Sequence, residues 1–220
     1  MFRIKICGIT NVQDARAAAG AGADAIGLNF FSKSRRFVEP EVARQIVAAL
    51  PVGVMTMGVF VNHGAAEIVA VAQRVGLDGV QLHGDERPGL IAQLPMGLSV
   101  VRAYRCGIDG LEELARYLDD CRTAGRMPDA VLIDADAGPE FGGTGQRADW
   151  ARIAQEREMI NGLPLILAGG LTPHDVGAAI AAVHPEGVDV ASGVERRPGV
   201  KDHRLISEFI AAAKLALAGG

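Results

Sequence analysis

Two residues in this sequence, each closing an apolar run, are of types that can move protons or contact a ligand. Cys7 closes the run Ile4-Lys5-Ile6, and Asp134 closes Ala130-Val131-Leu132-Ile133. A thiolate is a competent base, and a carboxyl group with a raised pKa is a competent acid at neutral pH. A cysteine in such a run also serves as a small core hydrophobe. A carboxylate that finishes an apolar run is rarely kept for stability alone. In the first run the period of two puts Arg3, Lys5 and Cys7 on one face. With Ile4 and Ile6 taken as the helix-facing pair, that polar face is expected to point inward, where the Lys5 ammonium would favour the Cys7 thiolate. Asp189, inside a later apolar run, is a candidate partner for a buried cation. Gln81 and His83 share a face at the end of another run, and His83 reads equally well as a ligand contact or as a structural hydrogen bond.

A second group of residues points to an anion. Ala168-Gly169-Gly170-Leu171-Thr172-Pro173 and Ala191-Ser192-Gly193-Val194-Glu195 each follow a short apolar run. Glycine lets the backbone approach a phosphate closely, and N–H groups at helix starts favour negative charge. Gly169, Gly170, Ser192 and Gly193 are therefore candidate phosphate contacts. Ser32-Lys33-Ser34-Arg35-Arg36 is a basic loop; beside a phosphate site it becomes a plausible carboxylate clamp, because guanidinium binds carboxylates bidentately. Gly142-Gly143-Thr144-Gly145, following Asp134, has the composition of a lid or a backbone platform, and Gly143 is a candidate substrate contact.

These residues need a scaffold that gathers the ends of many strands. The chain alternates a β-rich run with a helical one eight times. The predicted strands are Phe2–Cys7, Asp24–Phe30, Val54–Val61, Gly79–His83, Ser99–Tyr104, Ala130–Asp134, Leu165–Ala168 and Val188–Ala191. Helical patterns cover Asn11–Ala21, Pro40–Leu50, Ala65–Val75, Asp109–Cys121, Asp149–Arg157, Pro173–Val183 and Asp202–Ala218, with a weaker one at Glu86–Leu94. Caps and first-turn prolines mark several starts, among them Thr10-Asn11, Glu39-Pro40 and Thr172-Pro173. The first β/α turn, Cys7-Gly8-Ile9-Thr10, lacks the G-x-G-x-x-G fingerprint of a doubly wound sheet, and no P-loop occurs. Even spacing and glycine-rich ends on the last two strands favour one closed (β/α)₈ barrel over the whole 220 residues, with its site at the C-terminal strand ends.

Composition narrows the function. Apolar residues make up 49% and charged residues 22%, as in a globular enzyme, and the formal net charge of −4 leaves no basic footprint for nucleic acid. An anionic substrate must then be held by local positive features. No apolar run approaches bilayer length and no signal segment opens the chain, so a cytoplasmic protein with no membrane partner is expected. Three unpaired-looking cysteines fit a reducing compartment, and five dispersed histidines give no metal-ligand spacing.

At this point Lys5-Ile6-Cys7-Gly8-Ile9-Thr10 resembles the N-terminal signature of the phosphoribosylanthranilate isomerases. Val59-Phe60-Val61-Asn62, Val80-Gln81-Leu82-His83-Gly84, Phe141-Gly142-Gly143-Thr144-Gly145, Leu167-Ala168-Gly169-Gly170-Leu171 and Asp189-Val190-Ala191-Ser192-Gly193-Val194-Glu195 are similar to the family's later motifs, in order. Alanine at 168 and at 191 stands where the family often has serine. The resemblance implies an Amadori rearrangement of a small phosphorylated substrate in tryptophan biosynthesis, without cofactor or metal. It implies Cys7 as general base, Asp134 as general acid, Arg36 at the carboxylate-binding position, and Gly169, Gly170, Ser192 and Gly193 as the phosphate cradle. Asp136 or Glu140 would help raise the pKa of the acid. A monomer or a homodimer is expected.

Other readings make distinct demands. A dual-substrate isomerase, serving the histidine pathway as well, needs a second phosphate site after strands 3 and 4. Those ends read Val61-Asn62-His63-Gly64 and His83-Gly84-Asp85-Glu86, without paired glycines and with two acids. A non-catalytic phosphate-binding barrel needs the glycine loops but neither Cys7 nor Asp134. An indole-glycerol-phosphate synthase would place a lysine at a strand end.

Overall fold

The computed structural model describes residues 1–107, 110–134 and 150–219. Eight strands form a closed parallel barrel in sequence order: β1 (Ile4–Cys7), β2 (Ala25–Asn29), β3 (Met55–Phe60), β4 (Gly79–Leu82), β5 (Ser99–Arg105), β6 (Ala130–Asp134), β7 (Leu165–Ala168) and β8 (Gly187–Val190). Around it lie α1 (Val12–Ala21), α2 (Pro40–Ala48), α3 (Ala65–Val75), α4 (Glu112–Thr123), α5 (Trp150–Gln155), α6 (Val176–Val183) and α7 (His203–Ala218). A short hairpin, β9 (Glu195–Arg197) with β10 (Val200–Lys201), follows the last barrel strand. No described helix is long and apolar enough to cross a membrane.

The elements start and stop for local reasons. Asn11 caps α1 by accepting from the Asp14 N–H at 2.8 Å, and Asp202 caps α7 by accepting from the N–H groups of Arg204 and Leu205. The Glu86–Leu94 segment forms a 3₁₀ turn, Pro88–Gln93, instead of a full helix. Gly89 weakens any helix there, and Pro95 forces Leu94 into an extended conformation, at ψ 148°. The helix expected from Pro173 begins only at Val176, because the Asp175 carboxylate takes the Thr172 N–H at 2.7 Å and closes a turn first.

Alternation sorts the strand side chains into two layers. Ile4, Ile6, Leu28, Phe60, Val80, Ile133 and Leu167 face the helices in one large core. Phe2, Ala25, Met57, Val101, Ala103, Ala130, Leu132, Ile166 and Ala168 fill the barrel interior. Arg3 does not join the inward set. β1 begins at Ile4, so the alternation does not extend back to Arg3, which is exposed and donates from Nη2 to the Leu217 carbonyl at 2.6 Å. Phe2 closes the floor instead.

One motif recurs four times at the opposite end from the expected site. An acid just before each even-numbered strand accepts the N–H at the start of the preceding odd strand. Asp24 takes Ile4 N at 2.9 Å, Asp78 takes Thr56 N at 2.8 Å, Asp129 takes Val100 N at 2.7 Å, and Glu186 takes Leu165 N at 2.7 Å. Strand-start donors that would otherwise lack a partner are thereby satisfied by charge-assisted bonds.

Candidate active site

Cys7 stands at the C-terminal end of β1, beside Gly27 of β2 in the strand register. A Cβ built on Gly27 would lie 2.6 Å from Cys7 Sγ, so the absent side chain is what gives the thiol its space. Three cations lean on this thiol, from Lys5, Lys201 and Arg36, and each favours the thiolate. Burial opposes them and dominates, with Asp189 adding to it, so the thiol titrates above its ordinary value. Lys5 does favour the Cys7 thiolate, as the sequence suggests, but its pull does not set the balance. Desolvation outweighs the ammonium, whose charge is largely engaged by Asp189.

Lys5 is wholly buried in the barrel, directly across the register from Asp189. Its Nζ lies 2.8 Å from Asp189 Oδ1, the ion pair foreseen for that carboxylate. Lys5 also donates to Gln81 Oε1 at 3.0 Å. The Gln81 Nε2 lies 2.7 Å from His83 Nδ1, and His83 Nε2 lies 3.6 Å from Asp134 Oδ2. A continuous polar chain thus crosses the barrel from β8 through β1 and β4 to β6. It links the surroundings of Cys7 to Asp134, which the structure places at the end of β6 with about a quarter of its side chain exposed.

Arg36, in the loop after β2, extends its stem over Gly8, where an added Cβ would meet Arg36 Cδ at 2.4 Å. Its Nε and Nη2 donate to the two carboxylate oxygens of Glu195, both at 2.8 Å. Lys201, fully buried, donates to Glu195 Oε1 at 2.9 Å and to the Ala191 carbonyl at 2.9 Å. The hairpin β9–β10 brings Glu195 and Lys201 together beside the end of β8. The neighbouring Arg35 is exposed.

The glycine pairs lie at adjacent strand ends. Gly169 and Gly170 both adopt positive φ, at 90° and 63°, a region only glycine enters freely. Among the described residues none accepts a backbone hydrogen bond from the N–H of either. Gly193 packs against the loop after β7, and a Cβ there would fall 1.9 Å from the Leu171 carbonyl oxygen. Ser192 is exposed at the rim. Gly143, with the rest of the 141–145 segment, Asp136 and Glu140, lies outside the described residues. All three cysteines are free thiols, and no group of three or more metal-binding side chains converges among the described residues.

Residues 4–212 match the family described as N-(5′-phosphoribosyl)anthranilate isomerase. A relative of that name from Rubrobacter xylanophilus is 44% identical over 97% of this chain and 100% of its own length. The crystal structure of phosphoribosyl anthranilate isomerase from Thermotoga maritima superposes with a TM-score of 0.86 at 41% identity, covering 97% of this chain and 99% of that one. The chain belongs to the phosphoribosylanthranilate isomerase family. Another solved isomerase of the family, in complex with reduced 1-(o-carboxyphenylamino)-1-deoxyribulose 5-phosphate, has a TM-score of 0.81 at 39% identity, covering 97% of this chain and 99% of that one.

Within this phosphoribosylanthranilate isomerase barrel, the structure gathers Cys7, Asp134, His83, Arg36, Gly169, Gly170, Ser192 and Gly193 at the C-terminal strand ends. Sequence reasoning missed the partners that set their charge. Glu195 was visible only as the end of a motif and Lys201 not at all, and nothing in their spacing announced that Arg36 would meet them. Gly27 carried one legible signal, a glycine inside an otherwise apolar strand, which often marks close approach of another group.

Proposed function

We propose that Cys7 and Asp134 carry the proton transfers at this mouth. The observation that bears most weight is their placement on β1 and β6, at the same barrel end as the glycine loops of β7 and β8. The chain catalyses the isomerisation of N-(5′-phosphoribosyl)anthranilate in tryptophan biosynthesis, an aldose-to-ketose rearrangement. Asp134 delivers a proton to the furanose ring oxygen as the anthranilate nitrogen pushes out the C1′–O bond, leaving a C1′=N iminium. The Cys7 thiolate then removes the C2′ proton, and that electron pair forms C1′=C2′ and neutralises the nitrogen as an enolamine. Loss of the C2′ hydroxyl proton and protonation at C1′ give the ketone. The substrate nitrogen is itself the electron sink, so the residues present suffice.

Phosphate is held by the backbone at Gly169, Gly170, Ser192 and Gly193, the positions after strands 7 and 8 where barrels commonly bind it. Gly143 is retained as a backbone contact from the following loop. Arg36 holds the anthranilate carboxylate. Glu195 occupies its Nε and Nη2, so a second carboxylate meets the outer edge, through Nη1 and the remaining Nη2 proton. The pairing with Glu195 holds the guanidinium plane ready, which lowers the ordering cost of binding.

The bisphosphate alternative finds no support at strands 3 and 4. Glu86 is buried there, and its carboxylate accepts from the N–H groups of Asn62 at 2.8 Å and Gly84 at 2.9 Å. Arg102 Nη1 donates to the same carboxylate at 3.0 Å. The donors a second phosphate would need are engaged by the protein's own anion. The test is to add the protein to freshly generated phosphoribosylanthranilate and follow its fluorescence. Decay proportional to enzyme concentration is expected, and decay no faster than spontaneous breakdown would overturn the reading. Scattering-coupled gel filtration distinguishes monomer from homodimer.

A further inference from the structure

We infer that Gln81 is a positioning residue that fixes the tautomer of His83, so that the imidazole presents an Nε2–H to Asp134. The inference rests on the reading of Asp134 as the general acid. Lys5 orients the Gln81 amide. An ammonium has three donors and no acceptor, so whichever end of the Gln81 amide lies 3.0 Å from Lys5 Nζ must be its oxygen. The amide nitrogen then faces His83 Nδ1 at 2.7 Å and donates to it. A ring nitrogen that accepts carries no proton, so the neutral imidazole keeps its hydrogen on Nε2, and that nitrogen faces Asp134 Oδ2.

Burial lowers the Lys5 pKa, but Asp189 and Cys7 more than compensate, and the ammonium titrates above its ordinary value. Lys5 therefore stays a pure donor throughout the working pH range. Gln81 is buried, and its two polar ends are engaged by Lys5 and His83, so rotating the amide would set donor against donor at Lys5 and the amide oxygen against the Nδ1 lone pair at His83.

The arrangement suits an acid that must give up its proton. When Asp134 protonates the ring oxygen it becomes a carboxylate, and an Nε2–H facing it stabilises that charge. At 3.6 Å the pair lies about 0.7 Å beyond a good hydrogen bond, so the contact tightens as charge develops and adds little before the reaction. With the opposite tautomer, a ring lone pair would face the new carboxylate and oppose proton release. His83 thus stabilises the spent acid, and Gln81 acts through His83 without touching the reacting atoms.

The experiment uses the whole protein labelled with ¹⁵N-histidine, with the His83 signals identified by their loss in His83→Asn. Wild type is expected to show a neutral ring protonated at Nε2, with Nδ1 in the acceptor range. Gln81→Glu supplies a carboxylate that must accept from Nδ1–H, so it moves the proton to Nδ1 or charges the ring. Gln81→Met, close in volume, removes the preference and mixes the tautomers. Both variants should lose about 10- to 100-fold in kcat with little change in KM, the pattern of an interaction made in the transition state. A wild-type ring protonated at Nδ1, or a Gln81→Glu ring unchanged from wild type, overturns the assignment without any kinetics. Normal kcat in a variant whose tautomer has moved overturns its catalytic part. Asp134→Asn separates this from the underlying reading: if that variant stays active while the His83 signals follow Gln81, the general-acid role fails and the tautomer control stands.

Discussion

Replacing Glu195 by Gln should do two opposite things. The Glu195 carboxylate is 4% exposed and sits between the Arg36 guanidinium and the wholly buried Lys201 ammonium. Removing its charge while keeping its volume leaves two cations sharing one neutral amide. Breaking a buried ion pair by deleting one partner costs about 3–5 kcal/mol. The amide still accepts one hydrogen bond and Arg36 is partly exposed, so the lower part of that range applies, about 3 kcal/mol. At roughly 2–4 °C per kcal/mol for a chain of this size, the melting temperature should fall by about 6–12 °C. Meanwhile the two cations, no longer neutralised, act more strongly on Cys7, and the thiol should become more acidic. Thermal melts measure the first effect, and the pH dependence of Cys7 alkylation measures the second, with Cys7→Ala as the blank. The wild-type pH response carries the same signature. Burial works to raise the Glu195 pKa, but Arg36 and Lys201 overcome it and hold the carboxyl below its ordinary value. Its stabilising contribution is therefore present above the unfolded carboxylate pKa and is lost as pH falls through the lower folded one. In Glu195→Gln this part of the acid sensitivity should disappear. An unchanged melting temperature with an unchanged Cys7 profile would refute the account of the cluster.

Cys7→Ala and Asp134→Ala should each lower turnover by about 10²–10⁴-fold with circular dichroism unchanged, and near-normal turnover in either removes that residue from the mechanism. Arg36→Met should lower kcat/KM about 10- to 100-fold, mainly through KM, whereas Arg35→Met is nearly silent because Arg35 is exposed; steady-state kinetics that find the two alike refute the assignment. Because burial holds the Cys7 thiol above its ordinary value and the base is the thiolate, log(kcat/KM) should rise with pH from 7 to 9, and a flat profile there excludes Cys7 as the titrating base. Phosphate soaked into crystals should appear at Gly170 and Gly193; density only at Arg35 and Arg36 contradicts the proposed cradle.

The barrel was legible because its doubly covered strands read as short apolar runs, several with glycine just past their ends, separated by helical patterns in all but the fourth unit. Asp189 could be read from its place in an apolar strand as the partner of a buried cation, and the β1–β8 register shows that the cation is Lys5. The same rule misplaced Arg3, because alternation holds only inside a strand and β1 starts one residue later. The pull of Lys5 on the Cys7 thiol was legible, but the larger opposing effect was not, because a sequence shows the nearby cation and not the depth of burial. Arg36 and Glu195 are 159 residues apart, and their meeting depends on the ring closing and on the β9–β10 hairpin turning back over the β8 end. Glu86 was seen as a charge that would repel an anion. Its actual work is to satisfy Asn62 and Gly84, which only the folded loops reveal.

The four carboxylates at the barrel floor divide the ring into pairs, β1 with β2, β3 with β4, β5 with β6 and β7 with β8, each pair tied by its carboxylate across its own connecting segment. The boundaries between pairs carry no such tie among the described residues. New chain ends are therefore best introduced between pairs, for instance after α2, where opening the backbone leaves every tie spanned by continuous chain. Opening within a pair, for instance after α1, leaves the Asp24 bond to hold together two segments that the backbone no longer joins locally. The ring is continuous in hydrogen bonding, but it is jointed in the way it tolerates cutting.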